Sequence, residues 1–190
     1  EQTKALPWEH YIPEDGRFWV TKATSIKSKL FSSSDIQSIM KKAMVERMKS
    51  KYHTSWFSEE GNDYPVRVTL MKDEVTVCLD TSGDSLHKRG YRRATVKAPI
   101  TETLAAALIL LTPWKKDRIL VDPFCGSGTF PIEAAMMAAN IAPGLNREFI
   151  SEEWTNLIPK QLWYDVIEEA NDMVHTDIKV DIQGLSLIHI

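Results

Sequence analysis

The sequence predicts an α/β protein in two parts: a compact α+β unit up to about residue 84, then the first half of a doubly wound sheet. Three observations lead there. The segment Arg118-Ile119-Leu120-Val121 has the short, β-branched pattern of a buried parallel strand, and it runs into a glycine turn and an Ala-rich helical stretch reaching about Asn140. Strand, tight glycine turn, helix is the layout of a cofactor loop in a doubly wound sheet. Earlier in the chain, a strand-like segment, a helix-periodic segment and two alternating segments follow in the order of a small α+β unit. Finally, 190 residues with 43% hydrophobic side chains and six Trp supply one large core or two small ones.

Taken in order, Glu1 to Phe18 is Pro-rich and irregular, with Trp8, Tyr11, Phe18 and Trp19 as packing anchors. Phe18 to Ile26, rich in Val, Thr and aromatic residues, reads as a strand. Ser34 offers a helix N-cap, and Gln37 three residues on completes a capping box. Ile36, Ile39, Met40, Ala43, Met44 and Met48 then recur at helical spacing, which predicts an amphipathic helix from Asp35 to Tyr52 whose Met stripe faces a core. Val66, Val68 and Leu70 form one alternating face, and Val75, Val77 and Leu79 another. Lys72-Asp73-Glu74 between them is polar and short enough for a hairpin turn, and Thr81-Ser82-Gly83-Asp84 closes the unit.

The next stretch, residues 85–97, bridges the two parts. Lys88, Arg89, Tyr91, Arg92 and Arg93 flank an aromatic ring with cations, a composition suited to RNA: charges for the backbone phosphates, a ring for a stacked base. A charged interdomain linker has the same composition. His87 reads as a linker residue, because no partner acid is placed near it. Beyond the bridge, Thr101 can cap a helix from Thr101 to Thr112 that is apolar all round, as a helix buried against a sheet would be. Pro113-Trp114 stops it. After the strand and glycine turn, Pro131 fits the first turn of the next helix, where its missing N–H costs little. Leu162 to Met173, with Trp154 and Trp163, suggests a further helix with Glu168 and Glu169 outward, and Ile178 to Ile182 alternates like a second strand.

The glycine turn lies within Val-Asp-Pro-Phe-Cys-Gly-Ser-Gly-Thr, Val121 to Thr129. A phosphate-cradling loop relies on bare backbone N–H groups and often a Lys. This one has no Lys before its helix and sets Asp122 at the strand end. A carboxylate there repels a diphosphate but suits a ligand that carries an ammonium and a sulfonium. The residues lean away from NAD or ATP and toward S-adenosylmethionine. The plain alternative is a Gly-x-Gly turn that only lets a strand meet a helix.

The net charge of −3 hides a segregation of charge. Lys22 to Lys51 holds eight basic and two acidic residues, Lys88 to Lys97 five basic and none acidic, and Glu148 to Asp181 is strongly acidic. Such asymmetry can mark a polyanion-facing half, although Lys41, Lys42 and Lys49 fit a solvated helix face. No apolar run approaches the roughly 20 residues of a membrane helix, and no signal peptide opens the chain. Cys78 and Cys125 are not obvious disulfide partners, and the five His lack metal-ligand spacing. A reducing, cytoplasmic setting is expected, with no structural metal and no membrane partner.

Four strings resemble a known family: Leu86-His87-Lys88-Arg89-Gly90-Tyr91-Arg92, Ala98-Pro99-Ile100-Thr101-Glu102-Thr103-Leu104-Ala105, Asp122 to Thr129, and Asn140-Ile141-Ala142-Pro143-Gly144-Leu145-Asn146. They look like the THUMP-domain class I methyltransferases that modify guanine N2 in ribosomal RNA, whose relatives are also catalogued as N6-adenine-specific DNA methylases. The similarity runs from about Leu6 to Gly184. It implies that residues 1–84 are the later part of an RNA-binding THUMP module, 85–97 a basic linker, and 98–184 the N-terminal part of a truncated Rossmann-like methyltransferase domain, with 185–190 a non-family tail. It further implies that Thr101 and Glu102 flank the cofactor. Asp122, Pro123, Phe124, Cys125, Gly126, Ser127, Gly128 and Thr129 would hold the methionine part and sulfonium of S-adenosylmethionine.

Three departures from the family pattern bear on function. The chain starts inside the THUMP module. After Ile182-Gln183-Gly184, where the family has a Tyr-Asp-like pair whose acid bonds the ribose hydroxyls, stand Leu185 and Ser186. No Asn/Asp-Pro-Pro-aromatic string, which in the family orients the exocyclic amine, occurs in the 190 residues. No catalytic residue is therefore assigned, and no turnover is expected from these residues alone. The expectation is a segment of an S-adenosylmethionine-dependent N-methyltransferase acting on a base of RNA. The alternatives are an RNA-binding module without activity and an N6-adenine DNA methyltransferase; the THUMP-like half argues against the latter.

Overall fold

A computed structural model describes residues 1–92 and 99–186. The chain divides into two compact units. Unit 1 comprises Glu1–Gly83 and Phe149–Pro159; unit 2 comprises Asp84–Glu148 and the residues from Lys160 onward.

Unit 1 contains α1 (Gln2–Ala5), a 3-10 turn at Trp8–His10, β1 (Arg17–Ile26), α2 (Ser33–Tyr52), β2 (Asp63–Met71) and β3 (Glu74–Leu79). The strands lie in the order β1-β2-β3, with β1 and β2 parallel and β2 and β3 antiparallel. A parallel pair needs a crossover, and α2 provides it. Strand, helix and hairpin are thus one β-α-β crossover with a hairpin strand added. Ile36, Met40, Met44 and Met48 of α2 are buried in one cluster with Phe18, Val20 and Ala23 of β1 and Val66, Val68 and Leu70 of β2. Ile39 falls off that i, i+4 line and is exposed. The N-cap is Ser32 rather than Ser34: its Oγ accepts the Asp35 N–H at 3.3 Å. Gln37 makes no capping box, because its amide donates to the Val20 carbonyl at 2.9 Å instead. Lys72 and Asp73 both sit at positive φ (53° and 65°), while Met71 pairs with Glu74. The hairpin turn is therefore two residues long, of the type that matches strand twist, and Glu74 already belongs to β3. Trp8 and Phe18 are core residues, Trp19 is half-buried, and Tyr11 is 45% exposed.

Sequence reasoning did not anticipate that residues 149–159 complete this core. Trp154 is 2% exposed and stacks on Tyr64, with ring centroids 5.0 Å apart and planes at 17°. Its indole N–H donates to the Asp63 carbonyl at 2.9 Å. The Tyr64 hydroxyl donates to Asn156 Oδ1 at 2.9 Å, and the Asn156 amide donates to the Tyr11 carbonyl at 3.0 Å. A segment that follows β2 by some 90 positions closes the end of the sheet.

Unit 2 contains α3 (Glu102–Leu111), β4 (Leu120–Asp122), α4 (Thr129–Ala138), α5 (Lys160–Asp172) and β5 (Ile182–Gly184), with β4 and β5 parallel. The second strand begins where the alternating run 178–182 ends. Helix α3 packs against α4 through Ala105, Ala106 and Ile109. Its Leu104, Leu108, Leu110 and Leu111 are 40–83% exposed, against the expectation of all-round burial. Two strands, all that the described residues contribute here, are too narrow a sheet to cover a second helix face. In α5, Glu168 and Glu169 face outward as expected, but no residue of that helix is buried. No helix among the described residues is long and apolar enough to cross a membrane.

Candidate functional site

The loop from Asp122 to Thr129 leaves the end of β4 and turns into α4. Asp122 Oδ1 accepts the Phe124 N–H at 3.0 Å, which sets the first bend, and the Gly128 N–H donates to the Cys125 carbonyl at 2.8 Å to set the second. Gly126 sits at φ 53°, in the left-handed region where a side chain is strained, and a Cβ there would meet nothing within 4 Å. The loop is open on that side. Pro123 and Ser127 are exposed and Phe124 is 89% exposed. On the other side the loop rests on β5: the Cys125 N–H donates to the Leu185 carbonyl and the Leu185 N–H to the Asp122 carbonyl, both at 2.9 Å. Gly184 lets the strand pass, since a Cβ there would lie 3.0 Å from Cys125 Sγ and 3.1 Å from Pro131 Cγ. Pro131 stands in the first turn of α4, as its ring requires.

Beneath the loop lies a layer of buried charge. Thr129, the first residue of α4, accepts from Arg92 Nη2 at 3.1 Å. Arg92 also donates to Glu102 Oε1 at 3.1 Å and to the Ile100 carbonyl at 3.3 Å. Glu102, only 5% exposed, is the first residue of α3. One turn into α4, Glu133 is 1% exposed; it accepts from the Tyr91 hydroxyl at 2.8 Å and pairs with Arg89 at 3.2 Å. Burial pushes the Glu133 carboxyl up, opposed by the Tyr91 hydrogen bond and the Arg89 charge. Burial and the Glu133 carboxylate push the Tyr91 hydroxyl up, so that it stays a donor.

This geometry redirects the basic segment. Lys88 is exposed and pairs loosely with Asp84 at 3.2 Å, a contact worth little in water. Arg89, Tyr91 and Arg92 turn inward onto Glu133, Glu102 and Thr129 instead of facing solvent. Arg93 lies outside the described residues. Two acids buried in apolar helices must be partnered, and the nearest cations are recruited to them. The hint in the sequence was Glu133 itself, an isolated acid within the Ala- and Met-rich stretch of α4. The segment is also clamped from behind. The Arg147 guanidinium donates to the carbonyls of Asp84, Ser85 and Lys88 at 2.6–3.2 Å, and Gly90 (φ 81°) lies so close to Asn146 that a Cβ would fall 1.5 Å from its carbonyl oxygen. Of the two residues expected to flank a cofactor, Thr101 is the exposed N-cap of α3 and Glu102 is committed to Arg92.

The arrangement favours a cation. The loop contributes a carboxylate at the strand end, open space at Gly126 and no lysine, and the guanidinium beneath it is paired with Glu102. Among the described residues, no group of three or more His, Cys, Asp or Glu could hold a metal ion. A groove of about 760 Å³ between α3 and α4, with Ile109, Trp114 and Met136 in its walls, includes no residue of the loop.

Comparison with known proteins identifies the two domains. The RMKL-like methyltransferase domain matches residues 89–189, and the THUMP domain matches residues 1–80. The chain is 48% identical, over its whole length, to the "Putative RNA methyltransferase YpsC" of Bacillus subtilis (strain 168), of which it spans 49%. It is 37% identical over 87% of its length to "Ribosomal RNA large subunit methyltransferase K/L" of Syntrophotalea carbinolica, spanning 24% of that protein. Among solved structures, the "predicted N6-adenine-specific DNA methylase" of Listeria monocytogenes superposes with a TM-score of 0.91 at 53% identity, covering 96% of this chain and 48% of that one. The structure of SMU.472 complexed with SAH superposes with a TM-score of 0.89 at 46% identity, covering 97% and 48%. The chain thus spans about half the length of YpsC and of these two solved structures. With a partial Rossmann-like sheet and a THUMP domain ahead of it, the chain belongs to the RMKL-like methyltransferase family.

Proposed function

We propose that this chain is part of an S-adenosylmethionine-dependent methyltransferase that modifies an exocyclic amine of a base in RNA, with guanine N2 of ribosomal RNA as its target. The loop at Asp122–Thr129 carries the reading: a carboxylate edge, open space at Gly126 and no lysine within the loop suit a ligand with an ammonium and a sulfonium, and disfavour a diphosphate. S-adenosylmethionine supplies a methyl group already activated on sulfur. In this reading Asp122 and the loop backbone fix the methionine portion, while Phe124 offers an exposed ring beside it. The complex of SMU.472 with SAH supports the cofactor, and the names of the Bacillus and Syntrophotalea relatives support RNA over DNA.

RNA binding falls to unit 1 and the basic arm, through exposed Lys22, Lys42, Lys49 and Lys88 rather than through Arg89, Tyr91 or Arg92. Catalysis in such an enzyme is mostly placement: the base leaves its stack and its amine is aimed at the methyl carbon. The sequence has no Asn/Asp-Pro-Pro-aromatic string to provide that aim, and no methyl transfer is expected from this chain alone. Calorimetric titration with S-adenosylhomocysteine, alongside competition between structured RNA and duplex DNA, tests the reading. Saturable heat and preference for RNA are expected; preference for duplex DNA, or methyl transfer by this chain alone, contradicts it.

A further inference from the structure

The basic arm that carries Arg89, Tyr91 and Arg92 is built as a brace under the glycine loop, and we propose that Arg92 is the positioning residue that fixes the loop in its ligand-ready shape. One planar guanidinium contacts the first residue of α3 (Glu102, 3.1 Å), the first residue of α4 (Thr129, 3.1 Å) and the Ile100 carbonyl that precedes α3 (3.3 Å). Thr129 immediately follows Gly128, so its Oγ1 pins the end of the loop at the point where the chain enters the helix. No element of regular structure spans Cys125 to Gly128. The Asp122–Phe124 and Cys125–Gly128 hydrogen bonds shape its bends, the β5 contacts hold one flank, and Arg92 ties its far end to α3.

The brace is itself held in place. Arg147 and the Gly90–Asn146 crossing anchor the arm on one side, and Arg89 and Tyr91 anchor it on Glu133 on the other. Lysine cannot reproduce the fork: it keeps a charge beside Glu102 but cannot reach three acceptors in two directions. Arg92 acts on the ligand through Thr129 and the loop, so its removal should loosen the loop even with no ligand present. Only the effect on affinity rests on the cofactor reading above.

The test uses the 190-residue chain in two measurements. The first is amide exchange by NMR without ligand, at Gly128 (bonded to the Cys125 carbonyl) and Ile132 (bonded to the Gly128 carbonyl). Arg92→Lys, which retains the charge balance with Glu102, should speed both by about fivefold or more, with the β2–β3 hairpin of unit 1 unchanged. Thr129→Val should do the same and Thr129→Ser should not. The double variant Arg92→Lys/Thr129→Val should be no worse than Arg92→Lys alone, because the Arg92–Thr129 contact is already lost in that single variant. The second measurement is S-adenosylhomocysteine affinity in the same proteins, expected to fall about tenfold with Arg92→Lys and with Thr129→Val. Exchange at Gly128 and Ile132 within about twofold of the parent, or effects that multiply in the double variant, overturn the proposal. Should Arg92→Lys fail to fold, the Thr129 pair decides. If the parent chain takes up no S-adenosylhomocysteine, the cofactor reading fails, and the exchange data still decide whether Arg92 braces the loop.

Discussion

Trp154→Ala removes the fully buried side chain that the 149–159 segment inserts into the core of unit 1, beside the partly buried Ile150 and Leu157. Truncating a fully buried Trp costs about 3–5 kcal/mol when the surroundings cannot collapse into the space. Two local features favour the upper half of that range. The indole stacks on Tyr64 at 5.0 Å, an arrangement worth about 0.5–1.5 kcal/mol beyond its buried area. Its N–H also satisfies the Asp63 carbonyl at the start of β2, a hydrogen bond worth about 1 kcal/mol net. A loss of about 4–5 kcal/mol is therefore expected, a large share of the stability of a typical small domain, which is roughly 5–15 kcal/mol. Guanidinium unfolding followed by far-UV circular dichroism measures the loss. Amide exchange at Val66 and Val68 locates it in unit 1. A loss below about 1 kcal/mol, or faster exchange confined to α3 and α4, would refute the assignment of this segment to the core of unit 1.

Other consequences follow from named contacts. A chain ending at Gly83 lacks Trp154 and Asn156, so it should show no cooperative unfolding transition, and a peptide covering residues 149–159 should restore one. The Arg47 guanidinium, bonded to Glu9 at 2.5 and 3.0 Å, holds that carboxyl at about 2, below its ordinary 4.5. Because the folded value is depressed, the stabilisation is complete above pH 4.5 and disappears as pH falls toward 2; Glu9→Gln should flatten the acid limb of a stability–pH curve only in that window. Gly90→Ala should destabilise unit 2 by at least about 2 kcal/mol, from a left-handed φ of 81° and a Cβ set 1.5 Å from the Asn146 oxygen, as chemical denaturation would show.

Much of this molecule could be read along the chain because it depends on local patterns. The Met stripe of α2, the strand from Phe18 and the strand–glycine–helix passage around Asp122 are set by spacing that neighbours alone specify. What escaped reading depends on long-range pairing. Ser32 takes the N-cap, and Gln37 of α2 is drawn to the Val20 carbonyl of β1, a partner that no local rule reveals. Trp154 looked like an anchor for α5, yet it packs on Tyr64, 90 positions earlier. Arg89 and Arg92 carry the composition of a phosphate grip; their direction was fixed by Glu133 and Glu102, whose burial follows from how α3 and α4 pack. The uncovered leucines of α3 show the limit from the other side, since an all-apolar helix states that it will be covered and not by what.

The most direct measurement of the loop's role is a backbone NMR titration of the chain with S-adenosylhomocysteine, with ATP and NAD in parallel samples. Shifts should appear first at Asp122–Thr129 and saturate with S-adenosylhomocysteine, while the two diphosphate-bearing ligands leave those signals in place, and Asp122→Ala should weaken the response about tenfold or more. Saturating shifts in the same loop with ATP or NAD, or a response to S-adenosylhomocysteine confined to the groove between α3 and α4, would contradict the assignment.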